Sequence, residues 1–351
     1  MTTDPSSRRE LRLDLPDRLV AARTPTPIEP LERLSAALVE RGAPPVELWI
    51  KRDDLTGFAL GGNKVRKLEF SFAAALSAGA DTVLTCGGFD SNHCRATAFL
   101  ARRHGLVPHL LLRTSDGKPV ASWQGNTLLG AIAGAEITWV TPDEYRSGIT
   151  LLESHAERLG AQGRTVAVIP EGASDARGAL GFVAASEELA EQELECGFSF
   201  DAVLHAVGSG GTSAGLQTGR DALARPWNVL GVPVCDDGVY FRSKVRTIRQ
   251  DLTEEFGLPA EGTAPGDRYL DGFAGRGYGL SDRTELEFYA WIARTEGILL
   301  DPCYTGKAFR ALVDAVERGE FAAGSRILFW HTGGAFANFS AQGEWQEALG
   351  L

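Results

Sequence analysis

The chain has 351 residues and a formal net charge of −11 at pH 7; 44% of its residues are apolar and 23% are charged. The length suggests two domains or one large one, and the acidic balance argues against a nucleic-acid-binding surface. No apolar run reaches the roughly 18 residues that a membrane-spanning helix needs. Residues 1–10 lack the apolar stretch of a secretion signal, so we expect a cytoplasmic protein with neither nucleic-acid nor membrane partners.

Short apolar runs alternate along the chain with helical patterns. The predicted strands are Val46–Ile50, Thr82–Cys86, Val107–Leu112, Glu136–Val140, Thr165–Ile169, Ala202–Ala206, Val229–Val234 and Arg326–His331. The predicted helices are Lys64–Ala78, Asn92–His104, Trp123–Ala133, Pro142–Leu159, Ala179–Glu195, Ser213–Ala222, Arg242–Glu255, Thr284–Thr295 and Gly306–Val316. This alternation predicts βαβ units. We therefore expect an α/β fold with parallel-rich sheets covered by helices.

No linker divides the chain into two parts, so any division into domains must be topological. The chain would have to leave one sheet, build a second and return to the first. The first 25 residues are expected to be irregular. Residues 259–267 are polar and contain two prolines and two glycines, which predicts a loop.

Lys64 lies between the strand Val46–Ile50 and the helix that follows Asn63, a residue type that often caps helices. An ammonium in the first turn of a helix meets the positive end of the helix dipole. The neutral amine therefore becomes easier to reach, and a lysine forms a Schiff base only through that amine. A solvated surface lysine is the alternative interpretation.

Four glycine-rich segments follow predicted strands, at the sheet edge where ligands of α/β proteins bind. They are residues 86–93, 170–174, 207–215 and 331–335. The third contains Ser209-Gly210-Gly211-Thr212-Ser213 before a helix, and such a loop can direct backbone N–H groups and hydroxyls at an anion. It lacks the spacing of a Walker loop or a dinucleotide fingerprint. A single phosphate monoester fits best, held by dipoles rather than by cations; a turn that merely needs glycine is the alternative.

Ser91 and Asn92 begin a predicted helix, where Asn92 could bind a ring hydroxyl and Ser91 could bind a carboxylate or relay a proton. An ordinary helix cap at Ser91 is the alternative. Tyr278 and Tyr304 lie in loops among glycines, where one tyrosine alone would usually be packing. Five widely spaced cysteines indicate neither a disulfide framework nor a zinc site, and we expect no bound metal.

Together these residues resemble the pyridoxal-phosphate enzymes of the tryptophan-synthase-β fold (fold type II), in particular the group of D-cysteine desulfhydrase and 1-aminocyclopropane-1-carboxylate deaminase. The resemblance runs from about Thr24 to the C-terminus. It rests on residues 51–54, 61–69, 87–88, 91–92, 209–215, 277–279, 300–302, 304–307 and 331–334. It implies a larger cofactor-binding domain of residues 1–65 and 170–351, a smaller inserted α/β domain of residues 66–169, and pyridoxal 5′-phosphate in the cleft between them.

The resemblance also implies a role for each site residue. Lys64 would bind the cofactor covalently and then move the α-proton of the substrate, and Asn92 would contact the cofactor's 3′-oxygen. The phosphate would be held by Ser209, Gly210, Gly211, Thr212 and Ser213. Ser91 would bind the substrate carboxylate or relay a proton, and Tyr278 and Tyr304 would act as acid or base on the substrate side.

Thr305 would face the pyridine nitrogen, where the cyclopropane deaminases carry glutamate. A carboxylate there keeps the ring protonated and makes it a strong electron sink, whereas a threonine hydroxyl leaves it neutral. Threonine therefore favours elimination of a good β leaving group. We expect a lyase that performs α,β-elimination on a small amino acid, with D-cysteine the first candidate, acting as a homodimer. A cyclopropane deaminase or a β-replacement enzyme is the alternative, and a binding protein without turnover is the third.

Two residues depart from the pattern of the group. Asp90 stands where glutamine is usual, and Cys94 stands where a small residue is usual. Asp90 would place a negative charge beside the carboxylate site unless it pairs with a cation such as Arg95. On that interpretation, the pocket would suit a cationic or larger amino acid.

Overall fold

In the computed structural model, which describes residues 11–259 and 268–351, the chain builds two sheets. The strands are β1 (Ile28–Pro30), β2 (Glu47–Arg52), β3 (Thr82–Gly88), β4 (Val107–Arg113), β5 (Glu136–Val140), β6 (Val166–Val168), β7 (Ala202–Val207), β8 (Asn228–Pro233), β9 (Arg268–Tyr269) and β10 (Arg326–His331). One sheet has the order β1-β2-β10-β7-β8-β9 and the other β5-β4-β3-β6. All pairs are parallel except β1 with β2.

Helices connect nearly all of these strands. In chain order they are α1 (Glu32–Glu40), α2 (Lys64–Ser77), α3 (Asn92–Arg103), α4 (Gly125–Ile132), α5 (Pro142–Tyr145), α6 (Ile149–Gly160), α7 (Ala176–Cys196), α8 (Gly211–Ala222), α9 (Gly238–Phe256), α10 (Arg283–Glu296), α11 (Thr305–Glu317), α12 (Ala337–Ser340) and α13 (Gln342–Leu349). The expected α/β class with parallel-rich sheets and helical cover is confirmed.

The predicted strands all occur, and the differences lie at edges and ends. Strands β1 and β9 were not predicted because two or three residues carry no periodic signal. The predicted helix Pro142–Leu159 is two helices, since Gly148 between them adopts φ +58°. Two predicted segments, residues 1–10 of the N-terminal arm and 260–267 of the polar loop, lie outside the described residues.

The second sheet is built from one continuous stretch of chain, residues 82–168, while the first sheet uses strands from before and after it. This is the topology of a chain that leaves one sheet, builds another and returns. The domain boundaries at residues 65/66 and 169/170 stay a prediction.

A buried ionic network fixes the start of α2 against the first sheet and explains the run Lys51-Arg52-Asp53-Asp54. The Arg66 Nη2 atom lies 2.8 Å from Asp53 Oδ1, and its Nη1 atom lies 2.7 Å from Glu188 Oε2 on α7. Lys51 pairs with the same glutamate. Removing one partner would leave an uncompensated buried charge, so this network holds the helix that begins with Lys64 in a defined position.

Candidate active site

Lys64 is the first residue of α2, and it lines a cavity. Burial lowers the pKa of Lys64 to about 8, partly opposed by the charge of Glu171. The predicted direction is confirmed, but the main cause is loss of hydration rather than the helix dipole. Asn63 occupies the cap position without capping the helix. Its Nδ2 atom instead donates to Thr212 Oγ1 at 3.3 Å and so joins the lysine turn to the opposite wall.

That opposite wall is the glycine-rich turn between β7 and α8. Gly210 adopts φ +90°, which favours glycine. Within the described parts of the chain, the backbone N–H groups of Ser209, Gly210, Thr212 and Ser213 donate no hydrogen bond. Four free donors at the start of a helix form an anion-binding concavity. The expected phosphate site therefore has the required shape and donors.

Lys67 lies directly behind this turn and was not among the predicted site residues. Its ammonium donates to the carbonyl of Gly172 at 2.7 Å and to Ser174 Oγ at 2.9 Å. A Cβ atom at Gly211 would lie 2.7 Å from Lys67 Nζ. A buried lysine thus supports the turn from behind without lining the cavity, and the expectation that dipoles alone hold the anion stays a prediction. The available signal was the spacing of Lys64 and Lys67, which lie on one face of α2.

Asn92 lines the cavity at the start of α3, and its orientation is set by a second layer of contacts. Its Oδ1 atom accepts from Arg95 Nη1 at 3.0 Å, and Arg95 also donates to Asn126 Oδ1 at 2.7 Å. Ser91 does not line the cavity; its Oγ atom accepts the backbone N–H of Cys94 at 3.3 Å and caps α3.

Asp90 points away from the cavity. Its Oδ1 atom accepts the backbone N–H of Asn126 at 2.6 Å, in the first turn of α4. Burial raises the pKa of Asp90 to about 6, and its hydrogen bonds and the charge of Arg95 oppose that shift. Asp90 therefore does not place the expected negative charge in the cavity wall. Cys94 is buried, and neither Asp90 nor Cys94 lines this cavity or the larger one beside Tyr278.

Tyr278 and Tyr304 meet beside a second, larger cavity, and Tyr304 and Gly208 lie on the walls of both cavities. Their phenol oxygens lie 2.7 Å apart. Arg113 and Lys244 line the second cavity, and neither makes an ion pair within the parts that the structure describes. Each contacts an aromatic ring instead, Arg113 at 4.8 Å from the centroid of Tyr145. Glu171 and Asp236 line the same cavity, so its wall carries both signs of charge.

Comparisons with known proteins agree with this geometry. A family model described as pyridoxal-phosphate dependent enzyme matches residues 20–333. The chain belongs to this family. A protein of Thermotoga maritima named putative 1-aminocyclopropane-1-carboxylate deaminase is 42% identical over 90% of this chain and 96% of its own. The D-cysteine desulfhydrase of Yersinia enterocolitica is 41% identical over 90% and 93%. A crystal structure described as an ACC deaminase homologue is 35% identical, with a TM-score of 0.85 over 99% of this chain.

The residues of this pyridoxal-phosphate-dependent enzyme fit its cofactor. One end of the cavity carries a lysine with a lowered pKa, as an aldehyde-binding amine requires. The other end carries unpaired N–H groups and small residues. A Cβ atom at Gly208 would lie 2.8 Å from Tyr304 Cε1, and one at Gly172 would overlap Ser209 Oγ. Side chains at these glycines would displace Tyr304 and Ser209, both of which line the cavity.

Most of the predicted site residues line one cavity. These are Lys64, Asn92, Ser209, Gly210, Thr212, Ser213 and Tyr304. Gly211 lies in the same turn and Tyr278 in the adjoining cavity. Thr305 lines neither cavity; its hydroxyl donates to Asp301 Oδ1 at 2.6 Å and accepts the Asp301 N–H at 2.8 Å. The predicted contact of Thr305 with the pyridine nitrogen therefore stays a prediction.

His205, which was not among the predicted site residues, also lines the cavity. Its Nε2 atom lies 3.1 Å from Ser213 Oγ, and its Nδ1 atom lies 3.0 Å from the carbonyl of Ala206. Burial lowers the pKa of His205 to about 4, so the ring is neutral at physiological pH. No local motif around His205 indicates this contact, because Ser213 reaches it only after the turn folds.

No helix of the described residues is long and apolar enough to cross a membrane. Within the same residues no group of three or more His, Cys, Asp or Glu side chains could hold a metal ion. All five cysteines are free.

Proposed function

We propose that this enzyme is a lyase that performs α,β-elimination on a small amino acid, in the manner of a D-cysteine desulfhydrase. One observation supports the proposal above all: Lys64 and the turn 209–213, with its unpaired N–H groups, line one cavity. Pyridoxal phosphate, when bound, withdraws electrons from the α-carbon of an amino acid and makes its proton acidic.

The residues of the chain would then divide the work. Lys64, with a pKa of about 8, is suited to accept the α-proton at Nζ once it is neutral. Asn92 would hold the 3′-oxygen, and the turn 209–213 would hold the phosphate. Tyr304 borders both cavities and Tyr278 borders the second, so their phenols can protonate a β-substituent that leaves towards the larger cavity. Ser91 caps α3 and lines neither cavity, so its contact with the substrate carboxylate stays a prediction.

The products follow from the bonds that break. Loss of the α-proton and of the β-substituent gives a dehydroamino acid, which hydrolyses after release to a keto acid and ammonia. D-cysteine would yield a three-carbon keto acid, ammonia and sulfide. The second candidate, opening of a cyclopropane amino acid, is favoured by the name of the Thermotoga relative and would yield a four-carbon keto acid and ammonia without sulfide.

The test begins with the protein reconstituted with pyridoxal phosphate. Visible absorbance should report the bound cofactor, and borohydride reduction followed by mass mapping should locate it on Lys64. Lys64→Ala should abolish both the absorbance and the mapped adduct. Keto acid, ammonia and sulfide should then be measured with D-cysteine, L-cysteine, β-chloroalanine and 1-aminocyclopropane-1-carboxylate. Sulfide and a three-carbon acid support elimination, a four-carbon acid supports the deaminase, and no product despite bound cofactor supports a binding protein.

A cytoplasmic location and a homodimer belong to the same proposal. They are supported by the resemblance and by the composition of the chain. Light scattering of the purified holoenzyme tests the homodimer.

A further inference from the structure

Ser174 lies at the end of the second glycine-rich segment, which has no role in the site described so far. It follows the short helical turn Glu171–Ala173 and precedes Asp175, the cap of α7. Its Oγ atom lies 2.9 Å from Lys67 Nζ, 3.2 Å from the backbone N of Gly211 and 2.7 Å from Ser209 Oγ. The hydroxyl of Ser174 therefore connects the buried Lys67 to Ser209 and Gly211, two members of the turn 209–213.

The direction of these hydrogen bonds follows from the donors available. An ammonium and a backbone N–H can only donate, so Lys67 and Gly211 occupy both lone pairs of Ser174 Oγ. The single proton of Ser174 must then go elsewhere. The carbonyl of Gly172 lies 3.4 Å away and already accepts from Lys67 at 2.7 Å. Ser209 Oγ, at 2.7 Å, is the better acceptor.

Ser209 consequently keeps its own proton free, and Ser209 lines the cavity. Lys67 is fully buried and is absent from the cavity wall. The charge of Lys67 acts on the cavity through the hydroxyls of Ser174 and Ser209, which both donate in the direction of the cavity. Hydrogen bonds arranged in one direction polarise each other, and a donor assisted by a charge binds an oxyanion more strongly than a neutral one.

We propose that Ser174 is a positioning residue that directs the proton of Ser209 at a phosphate monoester and transmits the charge of Lys67 to it. The inference rests on the proposed use of the turn 209–213 for the cofactor's phosphate, but it assigns a task to residues outside that turn. In this arrangement the lysine stabilises a phosphate without touching it, while Ser174 also fixes the backbone of Gly211.

The surroundings of Lys67 agree with this assignment. No carboxylate lies within ion-pair distance of Lys67 in the described parts of the chain. Burial and the neighbouring Lys64 lower the pKa of Lys67 well below its usual value. A buried lysine that has only neutral hydrogen-bond partners needs a counter-charge to remain protonated, and a phosphate dianion in the turn supplies one.

The test compares pyridoxal phosphate with pyridoxal, which lacks the phosphate. Dissociation constants for both are measured by fluorescence titration of the apo-protein for the wild type, Ser174→Ala, Ser174→Thr, Ser209→Ala and the double alanine variant. Ser154→Ala is the matched control, because its hydroxyl donates to a backbone carbonyl on α6 at 2.9 Å and has no contact with the turn.

We expect Ser174→Ala and Ser209→Ala each to raise the dissociation constant of pyridoxal phosphate about tenfold or more. The dissociation constant of pyridoxal should rise less than about twofold. The double variant should be little weaker than Ser209→Ala, since both act through one proton, and Ser174→Thr should bind as the wild type does. Equal losses for the two compounds, or losses that multiply fully in the double variant, would overturn the inference. Unchanged binding of pyridoxal phosphate in Ser174→Ala would also overturn the inference.

These results separate the inference from the proposed function. If the wild type binds neither compound, the proposed function fails. If the wild type binds pyridoxal phosphate through Lys64 and Ser174→Ala binds it equally well, only the role of Ser174 fails. Circular dichroism of each variant excludes a folding defect, and the Ser209 and Ser174→Thr variants decide the question if Ser174→Ala does not fold.

Discussion

The phenol oxygens of Tyr278 and Tyr304 lie 2.7 Å apart, and their rings meet edge to face with centroids 5.5 Å apart. Burial raises the pKa of both phenols well above 10. Tyr304 adds to the rise at Tyr278, whereas the hydrogen bond with Tyr278 partly opposes the rise at Tyr304. Both therefore stay protonated at neutral pH. One phenol donates to the other, which leaves a single proton free for a leaving group.

Removing either hydroxyl should slow elimination without preventing cofactor binding. We expect Tyr278→Phe and Tyr304→Phe each to lower kcat by about 100-fold or more, the usual contribution of a general acid. The loss should be larger for a thiol leaving group than for chloride, since chloride needs no proton. Steady-state rates with D-cysteine and β-chloroalanine check this. A loss of equal size for both substrates would exclude proton donation by the pair.

Lys64 should give the cofactor-binding reaction a defined pH dependence. With a pKa of about 8, the amine is mostly protonated below that pH and mostly neutral above it. The rate at which apo-protein binds pyridoxal phosphate covalently should therefore rise with pH and level off above about pH 8. Stopped-flow absorbance measures this rate. An increase that continues to about pH 10, where an unperturbed lysine titrates, would contradict the shifted pKa of Lys64.

The fold was predictable because its strands and helices are long and periodic, and Lys64 and the turn 209–213 were predictable because they are local motifs. Ser174 and His205 were not predictable, because each acts on the phosphate turn through contacts that only the tertiary fold creates. Asp90 shows the opposite error. Its position beside Ser91 suggested a charge in the pocket, yet the side chain turns towards Asn126 in α4.

Gly172 should be essential to the cavity because of what lies next to it. A Cβ atom there would overlap Ser209 Oγ and lie 3.4 Å from Lys64 Nζ. We expect Gly172→Ala to weaken pyridoxal phosphate binding about tenfold or more, as the serine and the lysine are pushed out of place. Fluorescence titration of the apo-protein measures this.

Gly163→Ala is a matched control for that variant. Both glycines have positive φ, +66° and +87°, but a Cβ atom at Gly163 has no neighbour within 4 Å. Alanine at Gly163 should cost on the order of 1–2 kcal/mol of folding stability through backbone strain alone, with cofactor affinity unchanged. An equal loss of pyridoxal phosphate affinity in Gly172→Ala and Gly163→Ala would show that backbone strain, rather than displacement of Ser209, causes the loss.

Asp90 should influence stability rather than substrate choice. The pKa of Asp90 is raised to about 6 by burial, so the folded protein retains a proton that the unfolded chain loses from about pH 4 upward. That proton contributes stability at low pH, and the contribution is lost as the pH rises from about 4 to about 6. Asparagine cannot ionise and its amide oxygen can still accept the N–H of Asn126. Relative to the wild type, the free energy of unfolding of Asp90→Asn should therefore increase by on the order of 2 kcal/mol between about pH 4 and pH 7.

Urea unfolding of both proteins across this pH range tests the expectation, with Asp17→Asn, at an exposed position, as the control that should show no such trend. The Asp90→Asn variant also tests whether Asp90 acts on the substrate. Because the Asp90 carboxylate binds the start of α4 instead of lining the cavity, kcat/KM for neutral and cationic amino acids should stay within about twofold of the wild type. A marked gain for anionic or loss for cationic substrates in Asp90→Asn would mean that this charge acts on the substrate after all, and that the pocket selects by the sign of the side chain.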